Sequence, residues 1–136
     1  MDASRPDLEP DATHAREEME AMQREIAATA VFEDDHDIVP GRLSNPLEAA
    51  ASGREPPIVA GVDQSFLRNA SGEQDRALSA VVALQGGEVI ERVSAVTDLE
   101  IPYIPGLLAF REGGPILAAL EELSVTPDLF LFDGSG

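Results

Sequence analysis

The fold is decided by residues 58–63, Ile-Val-Ala-Gly-Val-Asp, where a continuous apolar run leads directly into an acid. A short run of this kind is typical of a strand buried on both faces of a sheet. Residues 129–133, Leu-Phe-Leu-Phe-Asp, repeat the pattern. The sequence therefore predicts two buried strands, the first of them central, each ending in an isolated buried carboxylate.

Three further elements lie between these strands. Residues 78–84 and 88–97 are rich in β-formers, and Gly86-Gly87 between them suits a tight hairpin. A helical period of apolar residues, ended by Ser124 and Pro127, predicts a helix over residues 114–123. A meander, a crossover helix and a returning parallel strand give an α/β fold of order β-β-β-α-β, with the fourth strand beside the first.

The first 57 residues have a different character. Residues 1–10 read as a frayed leader, and Asp11 is a plausible N-cap. Apolar residues at helical spacing (Ala15, Met19, Met22 and Ile26) predict a narrow-striped amphipathic helix over residues 12–30. Residues 33–57 are acidic and proline-rich, which indicates a connector. We therefore divide the chain into a leader, helix and connector (1–57) and an α/β portion (58–136).

The charge of the chain is extreme. It has nine arginines, no lysine and 26 acids, for a net charge of −17. Such a field repels phosphate at low salt, but at molar ionic strength the Debye length is about 3 Å and the repulsion is screened. The dispersed acids therefore favour a halophilic protein over one with a specific cationic partner. Since the sequence has no cysteine, no membrane-length apolar run and no secretory signal, we expect a cytoplasmic protein without a membrane partner.

Three carboxylates are candidates for chemistry. Asp63 and Asp133 follow strands that should be neighbours, and Glu112 lies among apolar residues just ahead of the predicted helix. Converging carboxylates suit a divalent cation, which can activate water for phosphodiester hydrolysis. Each acid taken alone could equally be an exposed carboxylate at a strand end or helix start.

Four motifs, taken in order, resemble those of endonuclease V: Val59-Ala60-Gly61-Val62-Asp63, Pro102-Tyr103-Ile104-Pro105-Gly106, Phe110-Arg111-Glu112 and Asp133-Gly134-Ser135-Gly136. The resemblance covers residues 58–136 and implies a ribonuclease H-like fold. It also implies Asp63 and Asp133 as metal ligands, and Glu112 as a third active-site carboxylate that binds metal or positions the attacking water. The implied cofactor is Mg²⁺, with Mn²⁺ as the alternative.

The resemblance further implies a DNA repair nuclease. Its partner would be DNA containing deoxyinosine or a related deaminated base, nicked at the second phosphodiester bond on the 3′ side of the lesion. Tyr103, stiffened by Pro102 and Pro105, would be a wedge inserted with Ile104 into the duplex, unless it is a structural aromatic in a proline turn. A pocket for the flipped base is implied around Gly106, Leu108, Gly134 and Gly136, although these glycines could equally serve tight turns.

The family continues past the last motif with a His-Pro segment, further strands and helices, a lysine and another metal ligand. We therefore expect a chain that is incomplete at its C-terminus, exposes an edge on its fourth strand and nicks DNA weakly by itself. Two other functions stay open: a lesion-binding module without catalysis, and a ribonuclease H-like nuclease for inosine-containing RNA.

Overall fold

The fold is an α/β sheet with one packed helix, seen in a computed structural model that describes residues 8–39, 53, 55–100 and 108–133. In chain order the elements are α1 (Leu8–Thr29), β1 (Ile58–Arg68), β2 (Gln74–Gln85), β3 (Glu88–Asp98), α2 (Leu108–Leu120) and β4 (Leu129–Phe132). The four strands form one sheet in the order β3-β2-β1-β4. Strands β1 to β3 are antiparallel, and β4 is parallel to β1. The predicted topology is confirmed, with β1 in the interior of the sheet.

The β2–β3 hairpin turns on two glycines with left-handed backbone angles. Gly86 has a φ of 61° and Gly87 a φ of 81°, and Gln85 pairs with Glu88 across them. A two-residue hairpin loop needs positive φ at both positions to match the twist of the strands, and glycine adopts it without steric cost. This local rule made the hairpin predictable from sequence.

The hydrophobic core lies between α2 and one face of the sheet. Its buried members are Ala60, Val62, Val81 and Ala119, with Ile116 among the partly buried residues packed against them. Val59, on the opposite face of β1, is also buried at 8 % exposure. The predicted burial on both faces therefore holds at the start of β1, for Val59 and Ala60, whereas Gly61 and Asp63 on the face of Val59 are less covered.

Helix α2 begins six residues earlier than the sequence indicates. Gly113, Gly114 and Pro115 look like a helix start, because proline is favoured in the first turn and glycine weakens a helix interior. The structure instead has Pro115 inside the helix, where it and Arg111 are buried. Packing against the sheet overrides the local signals, so Glu112 lies within α2 and not ahead of it.

Two other expectations are corrected at the ends of the described residues. Helix α1 begins at Leu8, so Asp11 is inside it and is not its N-cap. The apolar stripe of α1 is exposed to solvent, with Met22 52 % and Ile26 60 % exposed.

Strand β4 is not buried: Leu131 is 57 % and Phe132 55 % exposed, because β4 lies at the edge of the sheet. The exposed edge itself was expected.

No described helix is long and apolar enough to cross a membrane.

Candidate active site

The structure brings Asp63 and Asp133 side by side on neighbouring strands. Val62 pairs with Phe132 in the parallel ladder between β1 and β4, so the next residue of each strand is an aspartate. The backbone N–H of Asp133 donates a 3.2 Å hydrogen bond to the carbonyl oxygen of Val62. The two predicted carboxylates therefore share one rim of the sheet.

Both aspartates lie on the sheet face opposite α2, because successive side chains of a strand alternate and Val62 faces the helix. They border a shallow cavity of about 470 Å³. We call this surface the open face, and it consists of Gly61, Asp63, Ala80, Val82, Leu131 and Asp133. Its small and apolar floor leaves room beside the two acids.

The expected burial of the two acids is wrong. Asp63 and Asp133 are both exposed, because the part of the sheet that carries them is covered by α2 only on the other face. Strand β1 also runs on to Arg68, so Asp63 lies in mid-strand and not at a strand end. The acids are therefore accessible to a ligand as the structure stands.

Among the residues that the structure describes, no cationic side chain pairs with these two acids. The Oδ1 atom of Asp63 accepts a 2.8 Å hydrogen bond from the backbone N–H of Gln64. Within the described ranges, neither Asp63 nor Asp133 forms a salt bridge. Magnesium in proteins is commonly held by one or two carboxylates together with water, so this donor set fits a divalent cation.

Glu112 does not lie beside Asp63 and Asp133. It lies in α2, which packs on the face of the sheet opposite Asp63. Its backbone carbonyl accepts a 3.3 Å hydrogen bond from Nε2 of Gln64, the residue after Asp63. Across the described parts of the chain, no three acids or histidines cluster closely enough to hold a metal. The structure thus joins two of the three predicted ligands and places the backbone of the third against β1.

The predicted substrate-binding residues fall almost entirely outside the described residues. Those outside are Pro102, Tyr103, Ile104, Gly106, Gly134 and Gly136, while Leu108 is the first residue of α2. Their assignment to a wedge and a base pocket stays a prediction.

Sequence reasoning missed a polar cluster beneath the site. Arg111 is only 7 % exposed, and its guanidinium carbon lies 4.9 Å from the centre of the Phe66 ring. Its two Nη atoms each lie 3.5 Å from Oε1 of Gln74. On the same face of the sheet, Nε2 of Gln64 donates a 2.9 Å hydrogen bond to Oγ of Ser79. The signal was present in β1, where Gln64 interrupts the inward-facing series Ala60, Val62 and Phe66.

The endonuclease V family model matches residues 42–136, which begins ahead of Ile58. Among curated relatives, endonuclease V of Haloarcula marismortui is 52 % identical over 97 % of this chain and 51 % of its own length. That of Natronomonas pharaonis is 52 % identical over 100 % of this chain and 49 % of its own length. That of Halobacterium salinarum is 43 % identical over 100 % and 53 %, respectively. The chain thus spans about half the length of these relatives.

Solved structures have the same fold. The catalytic domain of human endonuclease V superimposes with a TM-score of 0.66 and 29 % identity, covering 90 % of this chain and 48 % of that one. The Ciona intestinalis enzyme gives 0.63 and 22 %, covering 90 % and 47 %. The mixed four-stranded sheet agrees with the ribonuclease H-like α/β fold that the resemblance implied. Since the family model covers most of the sequence and the relatives align along nearly all of it, the chain belongs to the endonuclease V family.

Proposed function

We propose that this chain is the metal- and lesion-binding portion of a DNA repair endonuclease that nicks DNA at the second phosphodiester bond 3′ to deoxyinosine. Two findings support the proposal: membership of the endonuclease V family, and the adjacency of Asp63 and Asp133 on the open face. The adjacency is the observation that carries it, because two uncompensated carboxylates on neighbouring strands suit a divalent cation. The Ciona intestinalis structure is a complex with DNA that contains an inosine, which supports the substrate class.

In this proposal Asp63 and Asp133 hold Mg²⁺, or Mn²⁺ in its place, and Glu112 is the third active-site carboxylate. The cation supplies an activated water and stabilises charge on the scissile phosphate. The hydrogen bond from the Gln64 N–H to Oδ1 orients the Asp63 carboxylate that would hold the cation. The exposed position of both acids allows a DNA backbone to approach without opening the fold.

The lesion would be read by residues outside the described ranges. Tyr103, between Pro102 and Pro105, would insert into the duplex with Ile104 beside the deaminated base. Gly106, Leu108, Gly134 and Gly136 would surround the flipped base, since glycine lets backbone amides approach a base edge closely. A base in a mismatch such as deoxyinosine costs less to unstack than a paired one, which favours cleavage at lesions.

The acidic surface sets the conditions in which the enzyme works. A net charge of −17 opposes DNA binding at low salt, whereas molar salt screens charges beyond about 3 Å. We propose that the protein functions in the cytoplasm of a halophile. The relatives from Haloarcula, Natronomonas and Halobacterium support that setting.

The test is cleavage of a labelled duplex with one deoxyinosine, in about molar KCl with Mg²⁺. We expect a weak nick on the lesion strand only, since the chain spans about half the length of its relatives. The nick should disappear in Asp63→Asn. It should persist in the control Asp98→Asn, which removes the same charge at the last residue of β3. Equal cleavage of undamaged DNA, or a nick that survives Asp63→Asn, would contradict the proposal.

A second function is favoured by one observation. Within the part of the chain that the structure describes, Asp63, Asp133 and Glu112 do not form a three-acid group. A chain that binds the lesion but does not organise a complete metal site would be a lesion-binding module. Binding of the deoxyinosine duplex with equal affinity in Mg²⁺ and in chelator, without a nick, would favour this reading. Matched inosine-containing RNA in the same assay separates DNA from RNA preference.

A further inference from the structure

Gln64 is a polar residue on the inward face of β1. The alternation of the strand places it with Ala60, Val62 and Phe66, on the side that packs against α2. Gln64 is half-buried there. An inward-facing amide is costly unless it forms hydrogen bonds, so its contacts indicate what it does.

The side-chain amide of Gln64 bonds to two elements at once. Its Nε2 donates to Oγ of Ser79 at 2.9 Å and to the backbone carbonyl of Glu112 at 3.3 Å. Ser79 is fully buried and is the cross-strand partner of Gln64 on β2. A carbonyl oxygen can only accept, so the nitrogen of the amide must face Glu112. The Glu112 carbonyl therefore sets the orientation of the amide, and Ser79 Oγ accepts a second hydrogen bond from the same nitrogen.

The first half of α2 depends on such contacts more than a regular helix does. Pro115 lies inside the helix and has no N–H, so it cannot donate to the carbonyl four residues earlier. Gly113 and Gly114 weaken the same stretch, because glycine is a poor helix former. Two contacts join this half of α2 to β1, that of Gln64 with Glu112 and that of Phe66 with Arg111, and Arg111 also lies against Gln74 on β2.

Gln64 forms hydrogen bonds with two of the predicted active-site residues, Asp63 and Glu112. Gln64 follows Asp63 directly, and its backbone N–H donates to the Asp63 carboxylate at 2.8 Å. Its side chain holds the backbone of Glu112. One residue is therefore bonded both to the carboxylate of Asp63 and to the main chain of Glu112.

We propose that Gln64 is a positioning residue that sets where Glu112 lies relative to Asp63, and so the affinity of the site for its divalent cation. The proposal rests on the proposed function, because it takes Asp63 as a ligand of the cation and Glu112 as the third carboxylate of the same site. Groups that orient metal ligands typically change metal affinity by about 10- to 100-fold when they are removed. Methionine at position 64 would keep the length of the side chain and remove the donor.

The experiment compares Mn²⁺ binding by the whole chain and its Gln64→Met variant, measured by electron paramagnetic resonance in about molar KCl. The relevant sites are those lost in Asp63→Asn. The matched control is Gln85→Met, because Gln85 also donates a half-buried Nε2 hydrogen bond to a backbone carbonyl, that of Pro56 at 2.9 Å. We expect about tenfold weaker Mn²⁺ binding in Gln64→Met and wild-type binding in Gln85→Met.

A purely structural role would lower the unfolding midpoint of both variants alike and leave the Mn²⁺ affinity unchanged, which would overturn the proposal. If Gln64→Met does not fold, Gln64→Asn keeps the amide but shortens its reach, and the same loss of affinity is expected. In a Glu112→Gln background, Gln64→Met should have no further effect on binding, whereas an additive loss would show that Gln64 does not act through Glu112. If the wild-type chain lacks Asp63-dependent Mn²⁺ binding, the proposed metal site fails, and the role of Gln64 fails with it.

Discussion

Val81 is one of the largest fully buried side chains among the described residues. It lies on β2 opposite Val62 and belongs to the core cluster with Ala60, Val62 and Ala119, on the sheet face that packs against α2. Val81→Ala removes two buried methyl groups, worth about 0.8 kcal/mol each in transfer free energy. The cavity left behind adds to this cost, so we expect the free energy of unfolding to fall by about 2 kcal/mol.

The matched control is Val96→Ala on β3, where the valine is 58 % exposed. Both variants lose the same two methyl groups from a β-strand, so the difference between them reports the packing around each valine. Urea unfolding in about molar KCl, followed by circular dichroism, should show the midpoint of Val81→Ala about 1 M below that of Val96→Ala. Midpoints that agree within experimental error would refute the assignment of the core to this face of the sheet.

Three further predictions concern single contacts. Hydrogen bonds from Ser124 Oγ, then from the backbone N–H of Ser124 and Val125, hold the pKa of Glu91 below its usual value. The free energy of unfolding that these bonds contribute is fully present above the pKa of an unfolded-state glutamate, and it is lost as the pH falls through the lowered folded-state pKa. Glu91→Gln should therefore flatten this part of a plot of unfolding temperature against pH. Gly87→Val should lower the free energy of unfolding, measured with urea, by about 1–2 kcal/mol, because φ at Gly87 is 81°. Gly86→Asn should be tolerated, because asparagine adopts a positive φ in such turns. Asp128→Ala should speed amide exchange at Ile58, whose N–H donates to Asp128 Oδ2 at 2.8 Å, and unchanged exchange would contradict the contact.

The strand order could be predicted because its signals are local. Residues 58–62 and 129–132 are short apolar runs, and the glycine pair between β2 and β3 specifies a tight hairpin. A helix between two strands is the usual crossover connection of parallel strands, so the returning strand was expected to be parallel to the first. The adjacency of Asp63 and Asp133 follows from that placement, which is why the sequence led to both acids.

The start of α2 and the exposure of the acids could not be predicted because each depends on distant residues. Gly114 and Pro115 are helix-start signals, and only the sheet beneath Arg111 keeps the helix continuous through them. Whether Asp63 is buried depends on which sheet face α2 covers, and no local pattern specifies that face. The contact of Glu91 with Ser124 joins residues 33 positions apart, so it has no signature in the sequence.

Gln64 lies between these two cases. Its inward position was readable from the alternation of β1, since a polar residue follows Ala60 and Val62 on the same face. Its partners, Ser79 and the carbonyl of Glu112, were not readable because the register of β2 and the position of α2 decide them.

The most direct test of the account is Mn²⁺ binding by the chain and three single-charge variants, measured by electron paramagnetic resonance in about molar KCl. Asp63→Asn and Asp133→Asn each remove one carboxylate of the adjacent pair, and Asp98→Asn removes an exposed carboxylate at the end of β3. We predict that one class of bound Mn²⁺ disappears in each of the first two variants and persists in the third. Equal Mn²⁺ binding by all four proteins would contradict the claim that Asp63 and Asp133 form the metal site.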